Sequence, residues 1–184
     1  MQRRILAGAV ALASALVLAV AAGAARDDRV TARADANLVG PTGALMGVVR
    51  LSERDGFIDV VADAHGLQAG FHGFHVHAVG SCVGPDFTSA GGHLNPAGLH
   101  HPHHPGDMPV LLVNADGTAR ASLRTDRFAL ADLLDADGSA IIVHAKADNY
   151  ANIPTDRYDP DPDAMTLATG DSGGRVACGV VRPA

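Results

Sequence analysis

The segment GFHGFHVH, residues 70–77, places three of the ten histidines of the chain within eight residues. Side chains of a β-strand alternate between its two faces, so a strand here puts His75 and His77 on one face and His72 on the other. Two residues of strand separate the two imidazoles by about 7 Å, which suits two ligands of one metal ion. We therefore interpret His75 and His77 as a ligand pair, and His72 as a hydrogen-bonded structural histidine.

Further candidate ligands follow in two later segments. The segment SAGGHLNPAGLHHPHHPGD, residues 89–107, contains His93, His100, His101, His103, His104 and Asp107. An exposed histidine tract can bind divalent metals loosely and without function. The interspersed proline and glycine residues and Asp107 instead indicate a loop that is folded around a fixed site. The segment IIVHAKAD, residues 141–148, adds His144 at the end of an apolar run and Asp148 four residues later.

The elements that must position these side chains are short strands between turn signals. Apolar and polar residues alternate over residues 44–53 and 56–67, on either side of Asp55-Gly56. Residues 108–125 predict a hairpin that turns at Asp116-Gly117, because Asp-Gly favours the positive φ of tight turns. Residues 138–146 and 175–183 add two strands, and residues 128–138 predict a short helical turn at most. The pattern predicts an all-β fold, an antiparallel Greek-key sandwich or barrel of about eight strands.

Two long stretches, residues 78–107 and 147–174, lack strand character. Loops of this length in a compact domain are usually functional.

The chain has 184 residues, of which 47% are hydrophobic and 18% charged, which is typical of one globular domain. We assign this domain to residues 41–184.

The first residues are typical of an export signal. The basic start MQRR is followed by an uncharged apolar run and by the small residues Ala22–Ala24, so we predict a signal peptide over residues 1–24. The run is also just long enough for an uncleaved membrane anchor. Residues 25–40 show no period and are interpreted as a flexible leader. No cysteine lies near the cleavage site, which excludes a lipid anchor there, and we predict a periplasmic or extracellular protein.

Charge and cysteine content agree with export. The net charge is −6, and removal of residues 1–24 takes away Arg3 and Arg4 and no acid, which lowers it to −8. An acidic chain without a basic run is a poor candidate for binding nucleic acid. The two cysteines, Cys82 and Cys178, predict one disulfide in an oxidising compartment.

Five segments together resemble the Cu,Zn superoxide dismutase family. They are GFHVH, SAGGHLNP, PGDMP, VHAKAD and GGRVACGVV, and they follow the order of the family from about Leu45 to the C-terminus. The resemblance implies an enzyme with one copper and one zinc per chain. The copper ligands that it implies are His75, His77, His93 and His144. The zinc ligands that it implies are His93, His101, His104 and Asp107.

The resemblance also implies roles for residues around the metals. His93 is shared by both metals and therefore loses both ring protons, which two nearby cations favour. Asp148 hydrogen-bonds to His75 and His101 and thereby fixes the orientation of their rings. Arg175 is the active-site arginine that attracts and orients the substrate.

The chain departs from the familiar eukaryotic members at two points. Only Pro102 and His103 separate His101 from His104, so spacing leaves open a shifted pair that uses the neighbouring His100 or His103. The second long loop is acidic, and Ala168 stands where eukaryotic members have a steering lysine before Thr169-Gly170.

The function implied by the resemblance is dismutation of superoxide to O2 and H2O2, with alternate reduction and reoxidation of copper. Two alternatives remain at this point: a non-enzymatic copper and zinc storage protein on the same fold, and a copper-only dismutase. The sequence leaves the choice between a monomer and a homodimer open.

Overall fold

The computed structural model describes residues 29–159 and 161–184. The predicted signal peptide, residues 1–24, lies outside the described residues, and so does the start of the predicted leader. In the described part of the chain, none of the helices has both the length and the apolar character needed to cross a membrane.

The described residues form nine strands, two short α-helices and one 3₁₀ helix, which confirms the all-β class. The strands are β1 (Ala32–Val39), β2 (Leu45–Arg54), β3 (Phe57–Ala64), β4 (Gly70–His72), β5 (Phe74–His77), β6 (Leu111–Val113), β7 (Ala119–Thr125), β8 (Ala140–His144) and β9 (Arg175–Pro183). The helices are the 3₁₀ helix Thr88–Ala90, α1 (Leu130–Leu133) and α2 (Ala164–Thr169). The short helical turn predicted over residues 128–138 is α1.

Seven strands form one antiparallel sheet in the order β5-β8-β9-β1-β2-β3-β7, and β4 pairs with β6 in a separate sheet of two strands. The inward face of the curled sheet packs on one apolar core, to which β6 contributes Leu111 and β5 contributes Phe74 and Val76. All five residues of β8 are buried, as expected of a strand that lies between β5 and β9 near the metal ligands. Aliphatic side chains fill most of this core because the chain has few aromatic residues.

The interpretation of residues 25–40 as a flexible leader is wrong for residues 32–39. These residues form β1, which lies inside the sheet between β9 and β2. Ala34, Ala36 and Leu38 alternate along β1 and are fully buried. Two of these three inward side chains are alanines, so the hydrophobic alternation of the strand is weak in the sequence although its backbone pairs with β2 along its whole length.

Both predicted turns are present, but one of them joins strands of different sheets. Asp55 and Gly56 have φ values of 54° and 74° and connect β2 to β3, which pair along their length. The turn at Asp116-Gly117 connects β6 to β7, and Gly117 has a φ of 81°. However, β6 pairs with β4 and β7 pairs with β3, so residues 108–125 are not a regular hairpin.

The two long loops meet each other, because the backbone N–H of His101 in the first donates to the carbonyl oxygen of Leu167 in the second. The first contains the 3₁₀ helix and Cys82, which forms a disulfide with Cys178 of β9, as predicted. This crosslink closes a separation of 96 residues, for which a chain-entropy account gives about 4–5 kcal/mol of stabilisation. The second loop contains α2, which was not predicted; its N-cap Asp163 accepts hydrogen bonds from Met165 and Thr166, and Gly170 ends it in the left-handed conformation.

Replacement of Leu38 tests whether β1 is part of the core. We expect Leu38→Ala to lower the free energy of unfolding by about 3 kcal/mol, because it leaves a cavity in a closed apolar site. The exposed neighbour Asn37 provides the matched control, and Asn37→Ala is expected to change the free energy by no more than about 0.5 kcal/mol. Urea unfolding of both variants measures the difference, and equal values would contradict a core role for β1.

Candidate metal centre

The edge strand β5 organises the site. One edge of β5 pairs with β8, which ends at His144. The first long loop returns along the other edge, where His75 forms an isolated bridge with Asp107 and His77 forms one with His93. Pairing on both edges of one strand therefore gathers ligands from three separate parts of the sequence.

In three of the histidines, one ring nitrogen is engaged by a hydrogen-bond acceptor, which leaves the other nitrogen free to face the site. His77 Nδ1 donates to the carbonyl oxygen of Gly91 at 2.9 Å, and His144 Nδ1 donates to that of Gly173 at 3.0 Å. His75 Nε2 donates to Asp148 Oδ2 at 2.6 Å. The remaining nitrogens are His77 Nε2, His144 Nε2 and His75 Nδ1, which are the atoms that can bind a metal.

These three nitrogens lie close to a ring nitrogen of a fourth histidine, His93. His77 Nε2 and His144 Nε2 are 3.3 Å apart, and ligand atoms of His75, His77, His93 and His144 lie within 4.8 Å of one another. His75 Nδ1 and His93 Nε2 are buried and find no hydrogen-bond partner among the described residues. A buried unpaired nitrogen is costly, so this group fits a cation that accepts four nitrogen ligands.

A second group of ligand atoms meets on the other side of the His93 ring. His93 Nδ1 lies 2.8 Å from Asp107 Oδ1, and His101 Nδ1 lies 3.0 Å from Asp107 Oδ2. His104 Nδ1 lies 3.2 Å from Asp107 Oδ2 and 3.4 Å from His93 Nδ1. His75 also comes within 4.8 Å of this group, but its Nε2 is held by Asp148, so His104 is the better fourth ligand.

The structure distinguishes between the adjacent histidines that spacing left open. His101 and His104 are buried, whereas His100 and His103 are exposed. The backbone N–H of His101 donates to the carbonyl oxygen of Leu167 in α2 at 2.8 Å, which sets the register of the loop. The structure thus brings together the pair that the resemblance implied.

Asp148 connects the two groups. Its Oδ1 accepts from His101 Nε2 at 2.8 Å and from the backbone N–H of Tyr150 at 2.7 Å, while its Oδ2 accepts from His75. The site leaves no room beside this carboxylate, because a Cβ on Gly170 would lie 2.0 Å from Asp148 Oδ1. Neither Gly170 nor Tyr150 carried a local sequence signal for this role.

Burial and charge set the protonation of the two groups in different ways. Burial lowers the pKa of His75 to about 4, that of His144 to about 3 and that of His77 to about 2. These rings are therefore neutral and ready to bind a metal at neutral pH. Burial alone would also lower the pKa of His101, but the adjacent carboxylates of Asp107 and Asp148 raise it to about 9.

The two carboxylates remain ionised although they are buried. Burial by itself raises the pKa of a carboxyl group, but the adjacent His101 ring and the hydrogen-bonded His93 ring hold the pKa of Asp107 well below its usual range. Hydrogen bonds from His101 and His75 do the same for Asp148. The Asp107 side of the site therefore carries a negative charge that a divalent cation would neutralise.

Arg175, at the start of β9, is half-buried and is held by the disulfide-bonded loop. Its guanidinium donates to the carbonyl oxygens of Phe87 and Gly91. Because the Gly91 carbonyl also accepts from His77 Nδ1, the same oxygen positions the His77 ring and the guanidinium of Arg175.

By contrast, His72 lies outside both groups of candidate ligands. Its ring nitrogens contact the carbonyl oxygens of His144 and Gln68, as expected of a structural histidine.

A curled antiparallel sheet with two adjacent groups of buried histidine and aspartate side chains, one on each side of the His93 ring, is typical of a metalloprotein with room for two neighbouring ions. The family described as copper/zinc superoxide dismutase (SODC) matches residues 45–181. The chain belongs to the copper/zinc superoxide dismutase family, and the expectation of an enzyme of this type is confirmed at the level of the family.

Curated relatives agree with this assignment. The chain is 42% identical to superoxide dismutase [Cu-Zn] of Mycolicibacterium paratuberculosis over 163 residues, which cover 79% of this chain and 72% of that protein. It is 36% identical to the superoxide dismutase-like protein YojM of Bacillus subtilis over 157 residues, which cover 78% of this chain and 73% of that protein. A crystal structure of a double mutant of a SOD-like protein from Bacillus subtilis superposes with a TM-score of 0.68 at 36% identity and covers 79% of this chain and 95% of that one.

Replacement of Gly170 tests the position of Asp148. We expect Gly170→Ala to weaken metal binding at least tenfold, because the added Cβ displaces the Asp148 carboxylate from His75 and His101. Gly98→Ala is the matched control: Gly98 has a φ of 63°, close to the 57° of Gly170, and nothing lies within 4 Å of its added Cβ. Titration of both variants with metal measures the effect, and equal losses of affinity would show that backbone conformation alone is responsible.

The stability of the metal-free chain is expected to be greatest near pH 6.5 and to fall on both sides. Below this pH the unfolded chain protonates its histidines, whereas folded His75, His77 and His144 resist protonation down to pH values of about 4 and below. Above it, the unfolded form of His101 loses its proton first, and its contribution is lost as pH rises to about 9. Each histidine changes stability by about 1.4 kcal/mol per pH unit within its window, so the acid side is steeper.

Urea unfolding of the metal-free chain between pH 4.5 and 9 measures this profile. The variant His65→Gln provides the control, because His65 is exposed and should leave the profile unchanged. A stability that stays constant between pH 5 and 6.5 would contradict the burial of neutral imidazoles.

Proposed function

We propose that the chain converts two superoxide anions and two protons into O2 and H2O2, with one copper and one zinc ion per chain. The observation that carries the proposal is the position of His93, whose two ring nitrogens face two different sets of buried ligand atoms. The membership of the chain in the copper/zinc superoxide dismutase family supports it.

The donor chemistry supports the assignment of the two metals. The copper set consists of His75 Nδ1, His77 Nε2, His93 Nε2 and His144 Nε2. The zinc set consists of the Nδ1 atoms of His93, His101 and His104 and the carboxylate of Asp107. Four nitrogens suit tetragonal Cu(II), whereas three nitrogens and one carboxylate suit tetrahedral Zn(II) without an open position. This agreement makes copper the redox metal and zinc the structural one.

Copper, when bound, supplies a centre that takes one electron from one superoxide and returns it to a second. The protein contributes orientation and protons. The fixed tautomers of His75, His77 and His144 hold three nitrogens toward one point. His93 would be deprotonated while both of its nitrogens held cations. With Nε2 unbound, His93 can hold one proton there and release it to the peroxide product, whose second proton comes from water.

Arg175 is the residue proposed to attract and orient the substrate. Superoxide is a small anion, and the guanidinium is a permanent cation with donors in a fixed plane. The hydrogen bonds to Phe87 and Gly91 hold this group beside the His77 side of the site. The chain as a whole is acidic, and Ala168 supplies no charge, so the attraction is local and should weaken with salt.

Export is proposed on the basis of the signal-like N-terminus and of the disulfide. A disulfide between Cys82 and Cys178 persists in an oxidising compartment such as the periplasm or the extracellular space.

Metal partition and activity together test the function. We expect the loaded protein to contain one copper and one zinc, His144→Gln to lose copper and keep zinc, and His104→Gln to lose zinc and keep copper. Native mass spectrometry measures the metals, and pulse radiolysis measures the decay of superoxide. The exposed His65 again provides the control, since His65→Gln should bind both metals.

The other candidate functions predict different outcomes of the same experiment. A fully loaded protein that does not accelerate superoxide decay would indicate metal storage, and activity with copper alone would indicate a copper-only enzyme.

Replacement of Arg175 tests its role in attracting the substrate. In the protein loaded with both metals, Arg175→Ile should lower kcat/KM at least tenfold, reduce the salt dependence of kcat/KM and leave the metal content unchanged. The corresponding control is Arg120→Met, which removes an exposed arginine of β7.

A further inference from the structure

The proposed zinc loop is short for the number of ligands that it carries. The seven residues from His101 to Asp107 supply three of the four ligands. Within this stretch, the backbone N–H of Asp107 donates to the carbonyl oxygen of His104, and the N–H of His104 donates to Asp107 Oδ2 at 3.0 Å. Support from outside the loop is therefore important for its position.

Arg127, in the segment after β7, contacts the loop at both ends. Its guanidinium donates to the carbonyl oxygen of Pro102 at 3.0 Å and to that of Asp107 at 3.3 Å. Pro102 follows the ligand His101, and Asp107 is itself a ligand. One planar cation thus spans the ligand-bearing stretch, and its fork of donors suits two acceptors at once.

Tyr150, in the second long loop, contacts the same region with its ring and its hydroxyl group. The ring lies nearly parallel to that of His101, with an interplanar angle of 8° and centroids 6.4 Å apart. The hydroxyl oxygen accepts from the backbone N–H of Val110 at 2.9 Å, three residues after Asp107. Tyr150 therefore contacts a ligand ring and the backbone that leaves the zinc loop.

The backbone holds Tyr150 in an unusual conformation. Tyr150 and Ala151 have φ values of 57° and 51°, a region that residues with a Cβ rarely adopt. The N–H of Tyr150 donates to Asp148 Oδ1 and that of Ala151 donates to Asn149 Oδ1 at 2.8 Å, which maintains this conformation. The conformation places the tyrosine ring against His101 directly after the carboxylate that binds the same histidine.

We propose that Arg127 and Tyr150 are positioning residues of the zinc site that was proposed above. They hold the backbone from Pro102 to Val110 and the ring of His101 from outside the loop, and they thereby slow the release of zinc. Both side chains line one surface cavity above Pro102 and Asp107, so they act on the same face of the loop.

The release of zinc from the loaded protein to a chromophoric chelator tests this proposal. We expect Arg127→Met and Tyr150→Leu each to raise the release rate about tenfold, which is typical when a residue that orients a metal ligand is removed. Tyr150→Phe keeps the ring and loses the bond to Val110, so it should give an intermediate rate. Cobalt substituted at the zinc position should show an altered visible spectrum in Tyr150→Leu, because His101 shifts.

The controls separate this role from general destabilisation and from the function itself. Tyr158→Phe and Arg120→Met change exposed residues of the same types and should release zinc at the original rate. Release rates within twofold of the original in both Arg127→Met and Tyr150→Leu would overturn the proposal. Faster release would also overturn it if the metal-free variants lost an equivalent free energy of unfolding. An unmodified chain that binds no zinc would overturn the zinc site as well, whereas normal zinc binding with unaffected variants would leave the proposed function intact.

Discussion

Six imidazole rings and two carboxylates are buried together in this protein, and every ring nitrogen among them needs either a hydrogen-bond acceptor or a cation. The backbone carbonyls of Gly91 and Gly173 and the carboxylate of Asp148 provide acceptors on the outer side of three rings. The other ring nitrogens of these three histidines have no such acceptor, and they lie close to one another. This constraint connects the site to the elements around it, since each acceptor lies in a loop that follows or precedes a strand carrying one of the rings.

Asp148 has the central position in this arrangement because it accepts hydrogen bonds from a ring of each metal set. A carboxylate between two imidazoles fixes the tautomer of both rings and couples their positions. Gly170 must then be a glycine for a steric reason as well as a conformational one, because the carboxylate occupies the space of its side chain. The C-terminal end of α2 thus lies directly against the carboxylate that connects the two groups of candidate ligands.

The sequence pattern alone predicts which strand residues face the candidate site, but residue spacing in the loops leaves open which histidines there do so. His75 and His77 are one residue apart on an apolar strand, and strand geometry alone assigns both to one face. The choice of His101 and His104 over their neighbours depends on a hydrogen bond to Leu167, 66 positions away, in a helix that the composition of its loop did not suggest. β1 was missed for a related reason: two of its three inward residues are alanines, so its hydrophobic alternation is weak, and its place in the sheet depends on pairing with the distant strands β2 and β9.

The carbonyl of Gly91 joins two parts of the molecule that are otherwise separate. It lies in the loop that Cys82 ties to β9, and it contacts both a ligand ring and the guanidinium of Arg175. A newly made copy in a reducing compartment lacks this covalent tie, and its guanidinium has a less constrained anchor until the thiols are oxidised. Oxidation of the two thiols therefore restrains the loop segment whose carbonyl holds both the His77 ring and the Arg175 guanidinium.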